Sequence, residues 1–290
     1  MPKVIVAATQ MVCTKDSDQN ISTAERLVTA AAEQGARIVL LQELFENLYF
    51  CQEERAEYFN LATTLEENRA VRHFCGIAEK LKIVLPISFF EKKNNAHYNT
   101  IAVIDADGSI LGIYRKTHIP GGPGYGEKFY FNPGDTGFKV WQTRYARIGV
   151  GICWDQWFPE AARIMALMGA EIIFYPTAIG SEPANAGLDS KQHWQTCMQG
   201  HSACNMIPVV ASNRIGTESF DASSITFYGS SFITDNTGQI LTRANRTDEA
   251  VILSDFDLDL FQARRDSWGI FRDRRPSLYK ALLTSDGDTR

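Results

Sequence analysis

The chain has 290 residues, 44 % of them hydrophobic and 22 % charged, with a formal net charge of −5. That apolar supply is enough for one sizeable core, and the domain is expected to span residues 1–290 without a linker. With a mildly acidic balance and no basic stripe, nucleic acid and anionic membrane are excluded as partners, and no run reaches the ~18 apolar residues of a membrane span.

The opening "MPKVIVAATQMVC" is apolar only briefly and lacks the basic start, long apolar stretch and small-residue cleavage site of a secretory signal. The six cysteines, at 13, 51, 75, 153, 197 and 204, form no tight pairs. Reduced thiols in a cytoplasmic protein are expected.

The N-terminal half alternates strand-like and helix-like segments. "KVIVAATQMV" is β-branched and apolar, and "NISTAERLVTAAAEQGA" has helical spacing and stops at Gly35. "RIVLLQEL" is a continuous apolar run, as in a strand buried on both faces. "ENRAVRHFCGIAEKLK" is helical. "IVLPISFFE", "YNTIAVIDADG" and "ILGIYRKTHI" are successive strands, with a hairpin turn at "DADGS". Pro120–Gly137 is turn-rich and too long for a mere connector.

Beyond it, "FKVWQTRYARIGVGICW" reads as a hairpin and "PEAARIMALMGA" as a helix with proline in its first turn. "EIIFYPTA" is a strand, "SKQHWQTCMQGHSACNM" a helix and "IPVVASNRIG" a strand. "SSITFYGSSFITDNTGQILTRAN" and "EAVILSDFDLDLFQARR" complete an antiparallel set. Two α/β architectures fit this order, a (β/α)₈ barrel or two mixed sheets between helix layers. The frequent hairpins disfavour the barrel, whose strands need helical crossovers.

Three segments carry a reactive side chain just past a buried strand: Glu43 after "RIVLLQ", Lys116 after "ILGIYR" and Cys153 after "ARIGVGI". In α/β proteins the loops at strand ends converge on one rim, so a carboxylate, an ammonium and a thiol can meet there. A thiolate attacks, a lysine favours the anion and stabilises an oxyanion, and a carboxylate shuttles the proton to a leaving amine. That set cleaves a carbon–nitrogen bond without metal or cofactor. Taken one at a time, these residues are also ordinary core or loop residues, and spacing alone does not bring them together.

"LLQELFENLYF", "YRKTHIP" and "GVGICWDQWFPEAAR" together resemble the nitrilase superfamily of carbon–nitrogen hydrolases, and the likeness runs over nearly the whole chain. The resemblance implies a four-layer αββα sandwich of two mixed sheets between helix layers. It implies Glu43 as general base, Lys116 as oxyanion stabiliser, Cys153 as nucleophile and Glu127, in "GEKFYF", as an additional glutamate beside them. The superfamily also pairs its subunits, so a homo-oligomer, a dimer or larger, is expected.

"QELFENLYFCQEE" and "GAEIIFYPTAIGSEP" are similar to the branch of that superfamily that hydrolyses N-carbamoylputrescine to putrescine, carbon dioxide and ammonia, a late step from arginine through agmatine to polyamines. That likeness implies a small ureido-amine substrate. Glu182 would pair with its ammonium, and Tyr49 and Trp154 would be aromatic pocket positions. The alternatives are a β-ureidopropionase-like carbamoyl hydrolase, whose substrate carboxylate calls for a cation in place of Glu182, and a small aliphatic amidase. Cys197, His201 and Cys204 share one helix face, but the set lacks a nearby paired ligand, so no metal is expected. "GGPGYG" lacks the pattern of a phosphate-binding loop.

Overall fold

The computed structural model describes residues 3–185 and 187–289. In chain order its elements are β1 (Val4–Gln10), α1 (Ser17–Glu33), β2 (Ile38–Leu40), α2 (Arg69–Leu81), β3 (Leu85–Lys93), β4 (Ala96–Ile104), β5 (Ile110–Arg115) and the short α3 (Glu127–Tyr130). These are followed by β6 (Val140–Gln142), β7 (Arg147–Val150), α4 (Pro159–Leu167), β8 (Ile172–Pro176), α5 (Lys191–Asn205), β9 (Val209–Ser212), β10 (Ile215–Ser219), β11 (Ser224–Tyr228), β12 (Phe232–Thr234), β13 (Ile240–Arg243), β14 (Ala250–Phe256) and α6 (Leu258–Trp268).

Two mixed sheets result. In the first, β14-β1-β2 continues into β3-β4-β5 through a parallel bridge between Ile38 and Val84. The second has the order β13-β12-β9-β8-β7-β6. β1 and β2 are parallel, as are β7, β8 and β9, and the remaining ladders are antiparallel. The continuous apolar runs make strands covered on both faces. Between the sheets lie Val6, Ala8, Ile38 and Leu40 from one side and Ile148, Val150, Ile172 and Val210 from the other.

On the outer face of the first sheet, α1 and α2 bury Leu27, Val28, Val71 and Phe74. Met165, Trp194 and Met198 of α4 and α5 cover the second. This is the expected four-layer αββα sandwich. Local signals set the helix starts: Asp16 caps α1 by accepting from the amides of Asp18 and Gln19, and Asn68 caps α2 through Val71 N–H at 2.8 Å.

Three elements differ from the sequence reading. "RIVLLQEL" is strand only over Ile38–Leu40, because the chain must leave the sheet to carry Glu43 to the rim. "LDLFQARR", expected in an antiparallel set, is the helix α6, whose start is capped by Asp257 accepting from Leu260 N–H at 2.9 Å. Within the turn-rich segment, Glu127–Tyr130 close one helical turn. Among the described residues, no helix is long and apolar enough to cross a membrane.

Candidate active site

Glu43 follows β2, Lys116 follows β5, Glu127 opens α3 and Cys153 opens a 3₁₀ turn, Cys153–Trp157, after β7. The fold brings all four together at one rim of the sandwich. Lys116 Nζ lies 2.8 Å from Glu43 Oε1 and 2.9 and 2.7 Å from the two oxygens of Glu127. All four residues are buried; only Cys153 keeps a trace of exposure, 6 %. Asn99 Nδ2 donates to the same Glu43 oxygen at 2.7 Å, and the Tyr49 hydroxyl donates to Glu127 Oε1 at 2.7 Å. Among the described residues the second Glu43 oxygen, Oε2, is buried without a hydrogen-bond partner. A buried carboxylate oxygen without a donor is costly, and it is the acceptor that a reacting proton requires.

Burial shapes the electrostatics. It acts to lower the Lys116 pKa, but Glu127 and Glu43 outweigh it and hold the ammonium well above its ordinary range. Burial pushes the Glu127 carboxyl up to about 7 against the pull of Lys116. The Cys153 thiol is also raised well above its ordinary value, by burial first and then by Glu43, with Lys116 opposing. Lys116 does favour the anion, as expected, but burial and the two carboxylates outweigh it. The thiol is neutral until a base takes its proton.

The corner at Cys153 is built by its neighbours. Cys153 takes φ +43°, outside the range most side chains adopt. Asp155, fully buried, accepts from Ile152 N–H at 2.9 Å and Tyr114 hydroxyl at 2.7 Å through Oδ2. Its Oδ1 contacts His118 N at 3.0 Å and Nδ1 at 2.8 Å. One carboxylate thus joins the Cys153 turn to the segment carrying Lys116. Gly151 makes the corner possible, since a Cβ there would stand 2.7 Å from the Tyr175 ring. The first N–H groups of such a turn have no carbonyl one turn earlier, which suits them to an oxyanion.

A cavity of about 430 Å³ opens on this cluster, lined by Glu127, Cys153, Trp154, Tyr125, Glu182 and His193 among others, and among the described residues no lysine or arginine lines it. Its volume fits a small molecule. Ser190 Oγ donates to Glu182 Oε1 at 3.3 Å. Tyr125 accepts from Gly180 N–H at 3.0 Å and donates to the Ser181 carbonyl at 3.1 Å, so the loop that brings in Glu127 is tied to the one carrying Glu182. Trp154 is 40 % exposed at the cavity. Tyr49 is not among its lining residues. It lies fully buried, with its hydroxyl on Glu127, which does line the cavity.

Sequence reasoning missed Asn99, Tyr125 and Asp155. Asn99 did leave a signal, an amide side chain inside the apolar run "YNTIAVI". Asp155 left one too, an acid two residues after the cysteine in an otherwise apolar corner. Cys197 and His201, on one face of α5, both meet the Gln156 carbonyl oxygen, at 3.3 and 2.6 Å, whereas Cys204 is exposed.

The chain is similar to known proteins over nearly its whole length. The carbon–nitrogen hydrolase family pattern matches residues 5–266. An N-carbamoylputrescine amidase of Oryza sativa subsp. japonica is 59 % identical, over 99 % of this chain and 96 % of its own. A citrullinase of Francisella tularensis is 54 % identical, over 98 % of this chain and 99 % of its own. The crystal structure of a carbon–nitrogen hydrolase from Helicobacter pylori superposes with a TM-score of 0.91 at 38 % identity, covering 98 % of this chain and 99 % of that one. The chain belongs to the carbon–nitrogen hydrolase family of the nitrilase superfamily and is a hydrolase acting on amide carbon–nitrogen bonds.

Proposed function

We propose that the protein hydrolyses N-carbamoylputrescine to putrescine, carbon dioxide and ammonia, in the synthesis of polyamines from arginine through agmatine. The observation that carries this reading is the cavity itself: Cys153 and Glu127 share it with the carboxylate of Glu182, and among the described residues no lysine or arginine lines it. A ureido compound ending in an ammonium matches that charge pattern, and the ion pair with Glu182 orients it. The plant relatives named for this reaction support the same substrate.

The steps use the cluster as follows. Glu43 takes the Cys153 proton as sulfur attacks the ureido carbon, which is possible because Oε2 is free to accept. Lys116 and backbone N–H groups of the Cys153 turn stabilise the oxyanion. Glu43 gives its proton to the departing ammonia, leaving a carbamoyl thioester still bonded to the putrescine nitrogen. Water, deprotonated by Glu43, releases the thiol and a carbamate, which breaks down to putrescine and carbon dioxide. Glu127, through two contacts to Nζ, holds Lys116 charged and in place.

The citrullinase relative favours a second reading, citrulline. Its far end carries a carboxylate beside the ammonium, and among the described residues that carboxylate finds no cationic lysine or arginine in the cavity lining. Ammonia release from N-carbamoylputrescine, citrulline and 3-ureidopropionate, measured side by side with Cys153→Ala as control, decides between them. Turnover of the first, lost in the variant, is expected. Preference for either carboxylate-bearing compound overturns the substrate assignment and keeps the chemistry.

A further inference from the structure

The segment between β2 and α2 carries both Glu43 and Tyr49, the two residues that hold Lys116 and Glu127 in place. It has little regular structure there, and Leu44 sits at φ +49°, a conformation a leucine does not adopt without support. Leu44 N–H donates to Ser88 Oγ at 2.9 Å, and its carbonyl side is held chiefly by one guanidinium. Arg214, fully buried, donates through Nη2 to the carbonyls of Glu43 at 2.9 Å and Leu44 at 2.6 Å. Through Nη1 it donates to the Asn47 carbonyl at 2.9 Å and to Glu218 Oε1 at 2.8 Å. The other Glu218 oxygen accepts Tyr49 N–H at 2.5 Å.

Taking a guanidinium and a carboxylate wholly out of water is expensive, and such a pair stabilises a fold only weakly compared with apolar side chains. Its value lies in fixing geometry: a planar fork reaches the carbonyls of Glu43, Leu44 and Asn47 at once, which an apolar residue cannot do. The Arg214 and Glu218 side chains direct their hydrogen bonds to the Glu43–Tyr49 segment and to each other, behind the Glu43 carboxylate. We infer that Arg214, held by Glu218, is a positioning residue for the reaction: it locks the strained Glu43–Tyr49 segment so that the Glu43 carboxylate and the Tyr49 hydroxyl meet Lys116 and Glu127 in working register.

This inference rests on the reading of Glu43 as base. The charged or titratable groups facing Glu43 are Lys116, Glu127, Cys153, Tyr49, Cys51 and Arg214. Arg214→Met removes a positive charge from the cluster, and Glu218→Gln removes a negative one while keeping an acceptor for Arg214.

The test measures kcat, KM and the acid limb of kcat/KM for Arg214→Met, Arg214→Lys and Glu218→Gln. The substrate is N-carbamoylputrescine, or citrulline if that is the compound hydrolysed. Activity is expressed per folded protein, counted from the amplitude of each variant's cooperative urea transition, which removes misfolded protein from the count. A displaced base lowers kcat by about 100-fold, with KM within about twofold of the parent. The acid limb moves to higher pH in Arg214→Met and to lower pH in Glu218→Gln, opposite shifts that a merely structural role does not produce. Should Arg214→Met fail to fold, Glu218→Gln and Arg214→Lys carry the test. Unchanged kcat per folded protein in those two variants, with Glu43→Gln inactive, overturns the positioning role alone. An active Glu43→Gln overturns the reading of Glu43 beneath it.

Discussion

At the scale of single residues, the proposed nucleophile is a thiol held above its ordinary pKa by burial and by two carboxylates. A raised pKa means that the thiol is neutral at pH 7 and ionises only as pH climbs past its solution value. Alkylation of Cys153 by iodoacetamide in the free protein is therefore expected to keep rising with pH beyond about 8.5, the ordinary thiol value, without a plateau on the acid side. A plateau below pH 7 overturns this and points to a resting thiolate. The second residue-scale prediction concerns Glu182. Removing one member of a charge-assisted pair costs about 1.5–3 kcal/mol, so Glu182→Gln is expected to raise KM for N-carbamoylputrescine about tenfold or more. An uncharged ureidobutane gains nothing from Glu182, and its turnover should be nearly unaffected. If both substrates respond alike, Glu182 is not the ammonium partner.

At the scale of elements, the rim is assembled from loops whose side chains reach back to distant strands. Asp155 is the clearest case, since it gathers Ile152, Tyr114 and His118 onto one carboxylate. Asparagine is nearly the same size but brings an N–H₂ where an acceptor is needed. Asp155→Asn leaves at least one buried donor unpaired, a cost of about 1–3 kcal/mol. Urea unfolding is expected to record that loss, and kcat should fall with it because the Cys153 turn and the Lys116 segment lose their tie. Parent-like stability would show that the carboxylate is not needed there.

The same scale explains what was legible in advance. The hairpin β3-β4-β5 and the helices α1, α2 and α5 were readable because local periodicity is written within each segment, whereas the meeting of Glu43, Lys116 and Cys153 was implied only by the resemblance of three separated motifs to the nitrilase superfamily. What was not readable depends on contacts between segments far apart. Tyr49 looked like a pocket aromatic, yet its hydroxyl is turned to Glu127, which lies 78 residues away. Arg214 pairs with carbonyls 170 and 171 positions distant, and no local pattern encodes that. The start of α6 was missed for a different reason: the alternation of "SDFDLDL" mimics a strand, and the Asp257 cap decides otherwise.

For the whole molecule, the site needs both sheets at once. Glu43 and Lys116 extend from the first, while Cys153 follows a strand of the second, so their register depends on how the two sheets are clamped. Outside the second sheet the molecule keeps an apolar face that its own chain does not cover. Ile164, Leu167 and Met168 at the end of α4 are exposed, as are Trp268, Leu278, Leu282 and Leu283 of the C-terminal stretch. Arg163 joins the two groups, its guanidinium 5.0 Å from the Phe271 ring centroid. Exposed apolar side chains on neighbouring segments favour association, and one such surface meeting its own copy about a two-fold axis closes into a dimer. Sedimentation equilibrium at micromolar concentration is expected to give a dimer or a larger assembly. The paired substitutions Leu167→Glu and Met168→Glu should shift it toward monomer, since charges on that face would be buried against like charges. A monomeric parent protein sinks the prediction. A parent assembly that the substitutions leave intact moves the interface to another face.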